Sequence, residues 1–124
     1  MKKGRRVVVT GLGVISALGI GWKDFWDGLL DGKSGISEVD CFDTAPYDRK
    51  YAGQVKNFHP EQFFAKAKLR YLGRASQFAV AAAKLAAADA GIKKKDMDPL
   101  RTGVYIGTTM GEGQVMERFA DQCA

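Results

Sequence analysis

With 124 residues, 46% of them hydrophobic and 27% charged, the chain is the size of one domain and too apolar to be disordered. A formal net charge of +5 suits nucleic acid, an anionic membrane surface or an acidic protein partner, and composition does not choose among them. Two cysteines, Cys41 and Cys123, are too few for a disulfide framework and fit a reducing cytoplasm better than secretion. The basic start leads into only a short apolar run, which argues against a signal peptide. The most apolar stretch, Phe78 to Ala90, carries Lys84 and Asp89 and is too short to cross a bilayer.

Arg6 to Thr10 is a β-branched run whose continuous apolarity predicts a strand buried on both faces, as in a parallel sheet. Gly11, Gly13, Gly19 and Gly21 mark an irregular turn region after it. Trp22, Phe25, Trp26, Leu29 and Leu30 fall at helical spacing and predict a helix over Trp22 to Leu30, stopped by Gly32. Residues 33 to 60 read as an excursion, with short extended pieces at Ile36 to Val39 and Tyr51 to Val55. An amphipathic turn from Pro60 to Ala67 leads to the longest predicted helix, about Tyr71 to Ala90. Its alanines (Ala75, Ala79, Ala82, Ala83, Ala86, Ala87) allow close backbone approach, and a helix so apolar on several sides belongs at the centre of a domain. Gly91 and Ile92 have the pattern of a left-handed cap with its hydrophobic partner. Val104 to Ile106 predicts a second buried strand, running into the Gly-rich Gly107 to Gly113 and then a last helix from near Gln114. Strand, helices, strand, helix is an α/β order with a right-handed crossover.

Taken singly, the motifs carry little chemistry. The turn Gly11 to Ser16 follows a strand but has Ser16 where a dinucleotide site needs its third glycine, and the next helix starts too late to face a pyrophosphate. Gly32-Lys33-Ser34 resembles the end of a phosphate loop, but Asp27 stands where the first glycine belongs. His59 is the only histidine, so it cannot build a metal site, and it has no catalytic partner in the sequence around it. Cys41 and Cys123 read as inert, since neither sits at a helix N-terminus. Lys66, Lys68 and Arg70, with Arg74 a turn later, form a basic cluster that is either a solvated face or a docking patch for an anionic partner.

Together the segments have a recognisable order. Arg5 to Ser16, Trp26 to Ser37, Phe42-Asp43-Thr44, Tyr51 to Phe58 and Gly103 to Thr108 resemble, in register, the opening of the bacterial β-ketoacyl-[acyl-carrier-protein] synthases of type II. The resemblance implies the N-terminal part of a thiolase-like αβαβα fold: strands 1 and 2, a long buried helix and an inserted cap region, all within residues 1–124. It also implies a homodimer and a reaction. A cysteine takes an acyl chain from acyl carrier protein, two histidines assist decarboxylation of malonyl-carrier protein, and the carbanion attacks the thioester. Acyl and malonyl thioesters are then the substrates, and neither cofactor, metal, nucleic acid nor membrane insertion is expected.

The family's catalytic Cys and both His belong to motifs expected beyond residue 124, so no catalytic residue is assigned here and these residues alone are expected to be inactive. Met110, in Gly107-Thr108-Thr109-Met110-Gly111, matches the family's acyl-pocket wall, where an unbranched thioether suits a flexible apolar surface. Arg70 matches a basic residue of the family's carrier-protein surface. Lys66 and Lys68 lie one residue off its other lysines and join Arg70 in the expected docking patch. The alternatives are a ketosynthase of polyketide or specialised lipid synthesis, which shares these motifs, and a non-catalytic module that binds carrier protein or pairs with a second chain.

Overall fold

The computed structural model describes residues 4–65, 69 and 71–123. Its first element is a tight hairpin that the glycine pattern hides. Strand β1 (Ile15–Ser16) pairs antiparallel with β2 (Gly19–Ile20), Ile15 opposite Ile20. The Ser16 hydroxyl closes the turn. It accepts the Leu18 and Gly19 amides at 3.2 and 3.3 Å and donates to the Gly19 carbonyl at 3.1 Å.

Helix α1 (Trp22–Leu30) follows at once, entered through Gly21 at φ 95°. It stops where the sequence predicts. Gly32 adopts φ 63°, its amide bonds the Leu29 carbonyl, and the Lys33 amide bonds the Gly28 carbonyl. These are the two bonds of a Schellman cap. The predicted apolar stripe is only partly covered: Trp22 and Phe25 are half-buried, while Trp26, Leu29 and Leu30 are exposed. Strands β3 (Ile36–Glu38) and β4 (Tyr51–Gly53) then form a second antiparallel pair, with Ser37 opposite Ala52. These are the extended pieces expected in the excursion.

A 3-10 turn at Pro60–Gln62 precedes the long helix α2 (Arg74–Asp89). Helix α2 starts later than predicted because Gly73 is extended (φ −71°, ψ 169°). It ends on Gly91 at φ 66°, with the Gly91 and Ile92 amides bonding the carbonyls of Ala88 and Ala87 at 3.0 Å, a second Schellman cap. A further 3-10 turn, Lys94–Asp96, lies in what reads as plain solvated connection. Helix α3 (Gly113–Cys123) closes the order.

The α/β class holds, with α2 as the packing centre. Ala81 is fully buried, and Gly11-Leu12-Gly13 lies directly on the helix backbone. A methyl on Gly13 would overlap the Ala82 carbonyl oxygen and come within 2.6 Å of the Ala86 nitrogen. One on Gly11 would stand 2.6 Å from the Ala90 nitrogen. Small residues on both sides therefore permit a contact that larger ones would forbid. A second cluster forms around Phe58, which is 7% exposed. The Phe63 ring stacks on it at 5.7 Å and the Phe78 ring meets it edge-on at 4.9 Å.

Two expectations need correction. Arg6 to Thr10 and Val104 to Ile106 are not strands: the sheets among the described residues are β1-β2 and β3-β4 alone. Val7 is 91% and Tyr105 96% exposed. A parallel strand exists only through its neighbours' hydrogen bonds, and among the described residues these segments have no ladder partner. For the same reason α2 is half-covered rather than buried throughout. Along it Val80, Ala83 and Ala88 remain exposed.

Candidate functional site

The Gly-rich loop 107–113 meets the first turns of α2 around a cavity of about 300 Å³, bounded by Ala75, Ala79 and Val80 on the helix and Ile106, Thr108 and Glu112 opposite. An apolar groove of about 440 Å³ continues it between Ala83 and Ala87 of α2 and the segment Val104 to Ile106. Alanines make this space: each leaves a gap that a larger side chain would fill. The walls offer apolar surface and few polar groups, which suits an alkyl chain rather than a charged ligand.

The loop is held at defined points. Gly111 adopts φ 56°, and its amide bonds the Thr108 hydroxyl at 3.1 Å. The Glu112 carboxylate accepts the Ser76 amide at 2.6 Å across 36 residues of sequence. The Ser76 hydroxyl, helped by the Ser76 and Ala75 amides, holds the Glu112 carboxyl below its ordinary 4.5, against desolvation pulling the other way. Gly73 provides no side-chain cap, so this distant carboxylate does that work for α2.

Asp89 makes a similar tie at the other end of α2. It accepts the Leu12 amide at 2.9 Å and the Trp22 indole N–H at 2.8 Å. Those two bonds, the Leu12 amide first, lower its pKa from 3.8. Sequence alone singles out neither Asp89 nor Glu112, because each acts across a separation that carries no periodic signal.

Of the predicted site residues, Met110 lies in the loop beside the cavity, yet the residue is 84% exposed. Lys66, Lys68 and Arg70 lie outside the described residues. Arg74, the basic residue a turn later, is engaged: its guanidinium stands 5.0 Å over the Phe58 ring and 4.6 Å over that of Phe78, and it bonds the Val55 carbonyl at 3.3 Å. Cys41 and Cys123 are free and exposed. His59 Nδ1 stands 3.3 Å from Glu61 Oε1 on the surface. No nucleophile, base and orienting group come together among the described residues. Nor is any helix among them long and apolar enough to cross a membrane.

Residues 4–122 match the family model of the beta-ketoacyl synthase N-terminal domain. The chain belongs to this family. The chain is 37% identical over 117 residues to a 3-oxoacyl-[acyl-carrier-protein] synthase 2 of Staphylococcus aureus (strain N315), covering 94% of this chain and 28% of that protein. Among solved structures, the ishigamide ketosynthase/chain length factor superposes with a TM-score of 0.86 at 38% identity, covering 95% of this chain and 29% of the other. The ketosynthase complex AntDE:AntF, described as a type II PKS acyl-carrier protein with its ketosynthase bound to the hexaketide, matches with a TM-score of 0.69 at 34% identity. It covers 91% of this chain and 26% of that one. The fold is thus part of a thiolase-like ketosynthase N-terminal domain. The chain spans about 28% of the length of that Staphylococcus aureus relative.

Proposed function

We propose that this chain belongs to an acyltransferase that lengthens an acyl thioester by decarboxylative Claisen condensation with malonyl-acyl carrier protein. The observation that carries the reading is the 37% identity to a 3-oxoacyl-[acyl-carrier-protein] synthase 2 across 94% of the chain. In this reading a cysteine beyond residue 124 holds the acyl group as a thioester. Malonyl thioester loses carbon dioxide, its carbanion attacks the acyl carbonyl, and the cysteine thiolate leaves. Two histidines, also beyond residue 124, and backbone amides stabilise the developing negative charge.

Residues 1–124 contribute positioning. The cavity beside loop 107–113 receives the alkyl chain, and Met110 forms part of its wall once the rest of the enzyme covers the loop. Lys66, Lys68 and Arg70 steer the acidic carrier protein by Coulomb attraction. The AntDE:AntF structure, in which a ketosynthase holds an acyl carrier protein, supports that partner. The complete enzyme works as a cytoplasmic homodimer.

The test is condensation by the full-length protein given acyl and malonyl carrier-protein thioesters. Release of carbon dioxide with formation of a 3-oxoacyl thioester is expected, and none from residues 1–124 alone. Met110→Trp should reject long acyl chains while sparing short ones. Changing Lys66, Lys68 and Arg70 together to Glu should raise KM for the carrier-bound substrate, less so at high salt. No condensation by the full-length protein, with carrier binding intact, would replace the enzyme reading by a non-catalytic pairing module.

A second reading is a polyketide ketosynthase, favoured by the hexaketide-bound neighbour. Products extended repeatedly without reduction between cycles would establish it over a single fatty-acid elongation.

A further inference from the structure

We infer that Glu112 is a positioning residue for acyl-chain length: a latch that fixes loop 107–113 against α2 and so sets the wall of the cavity. The inference rests on the reading of that cavity as the acyl site. Three observations carry it. First, the Glu112 carboxylate accepts the Ser76 amide at 2.6 Å, and its backbone carbonyl accepts the Val115 and Met116 amides at 2.9 and 3.1 Å. One residue therefore caps α2 with its side chain and starts α3 with its backbone. Second, Gly73 is the N-cap of α2 without a cap of its own, and a methyl there would overlap the Glu112 carboxylate. The missing side chain at Gly73 makes room for the latch. Third, Ser76, Thr108 and Glu112 all line the cavity, and Gly111 between the latter two takes φ 56°. Releasing the latch lets this glycine-hinged wall move, and the length of chain accommodated moves with it.

A helix cap alone would also explain the Ser76 bond, so the experiment separates capping from positioning. In the full-length protein, Glu112→Ala removes the latch. Adding Gly73→Ser gives α2 a local cap: φ −71° and ψ 169° suit serine, and with the Glu112 carboxylate gone its Cβ meets only the Val115 Cγ2 at 2.9 Å, a side-chain methyl that must turn aside. Chain-length preference is read as kcat/KM over a series of acyl-carrier-protein substrates, and loop order as amide exchange of residues 107–111. Glu112→Ala should speed exchange in the loop and change the long-to-short ratio by about tenfold, the discrimination that one methylene of misfit in an apolar pocket produces. The double variant should regain thermal stability yet keep the altered ratio and the fast exchange, while Glu112→Gln retains an acceptor and should recover part of both. If the double variant restores the wild-type profile and loop protection, or if Glu112→Ala changes neither, the inference is wrong. Met110→Trp separates this from failure of the acyl-site reading. If neither it nor Glu112→Ala shifts the profile, the cavity is not the acyl site; if only Met110→Trp shifts it, the latch alone fails. Exchange of the loop amides tests the latch without any turnover.

Discussion

Gly13→Ala is the sharpest perturbation of the fold. A methyl at this position would overlap the Ala82 carbonyl oxygen and approach the Ala86 nitrogen to 2.6 Å. Both obstacles are backbone atoms of α2 inside a helical hydrogen-bond ladder, so no rotamer change relieves them, and trimming Ala82 to glycine would not help. The turn must lift off the helix. Overpacking a tight contact costs about 1–3 kcal/mol, and backbone obstacles place this case at the upper end. Alanine's smaller unfolded-state entropy returns about 0.4–1 kcal/mol, which leaves a net loss of about 2 kcal/mol. Lifting the turn also pulls the Leu12 amide from Asp89, whose other carboxylate oxygen accepts the Trp22 indole N–H at 2.8 Å. Urea denaturation of the full-length protein followed by tryptophan fluorescence therefore reports stability, and the difference in emission between Gly13→Ala with and without Trp22→Phe isolates the environment of Trp22. Gly4→Ala, with nothing within 4 Å, is the control and should change little. A Gly13→Ala midpoint indistinguishable from that control would refute the close-packing account.

Gly28→Ala should act in the opposite direction: its nearest neighbour would be the Leu18 Cβ at an ordinary 3.4 Å. Removing a glycine from the interior of α1 should then stabilise by about 0.5–1 kcal/mol, measured as a rise in urea midpoint. The lowered pKa of Asp89 fixes a pH effect with a definite sign. Its stabilising bonds are fully present above the ordinary value of 3.8 and are lost as pH falls through the still lower folded value, so Asp89→Asn should flatten the acid limb of the stability profile. An unchanged acid limb in that variant would remove Asp89 as the cause. Finally, the purified 124-residue chain should self-associate or stay partly molten, read by sedimentation and amide exchange. A monomer with a cooperative transition and strongly protected amides at 7–9 and 104–106 would contradict this.

What the sequence discloses and what it withholds divide along a physical line. Helix ends were legible because a cap is local: Gly32 and Gly91 announce their left-handed conformations within a turn of the residues they serve. The alanine pattern of α2 was legible as a demand for close approach, though not which segment approaches. The partner proved to be Gly11-Leu12-Gly13, whose contact with Asp89 spans 77 residues. The β1-β2 hairpin was hidden because two-residue strands carry no periodicity. In the candidate site, the assignment of Met110 rests on likeness of a short loop alone, while Glu112 was invisible. Its role depends on an absent side chain at Gly73, and no composition rule connects a glycine with a carboxylate so far along the chain.

The two segments that fail as strands are also the most instructive about the whole. Surface scaling gives a compact monomer of 13.5 kDa about 6,500 Å² of accessible surface, and this chain exposes 10874 Å². A standard protein interface covers about 800 Å² per partner, so the excess amounts to several such interfaces on one chain. Much apolar exposure falls at Val7 to Val9, Val104 to Ile106, and Val115, Met116 and Phe119 of α3. β-Branched runs of this kind are costly in water and ordinary in a sheet covered on both faces. The sequence marks these residues as apolar enough for a buried sheet, but here they stand exposed, because pairing requires a neighbour they do not contain. The caps of α1 and α2, the glycine–helix contact and the Glu112 and Asp89 ties do not need that neighbour. They hold the cavity wall and the helix that an adjoining strand would complete.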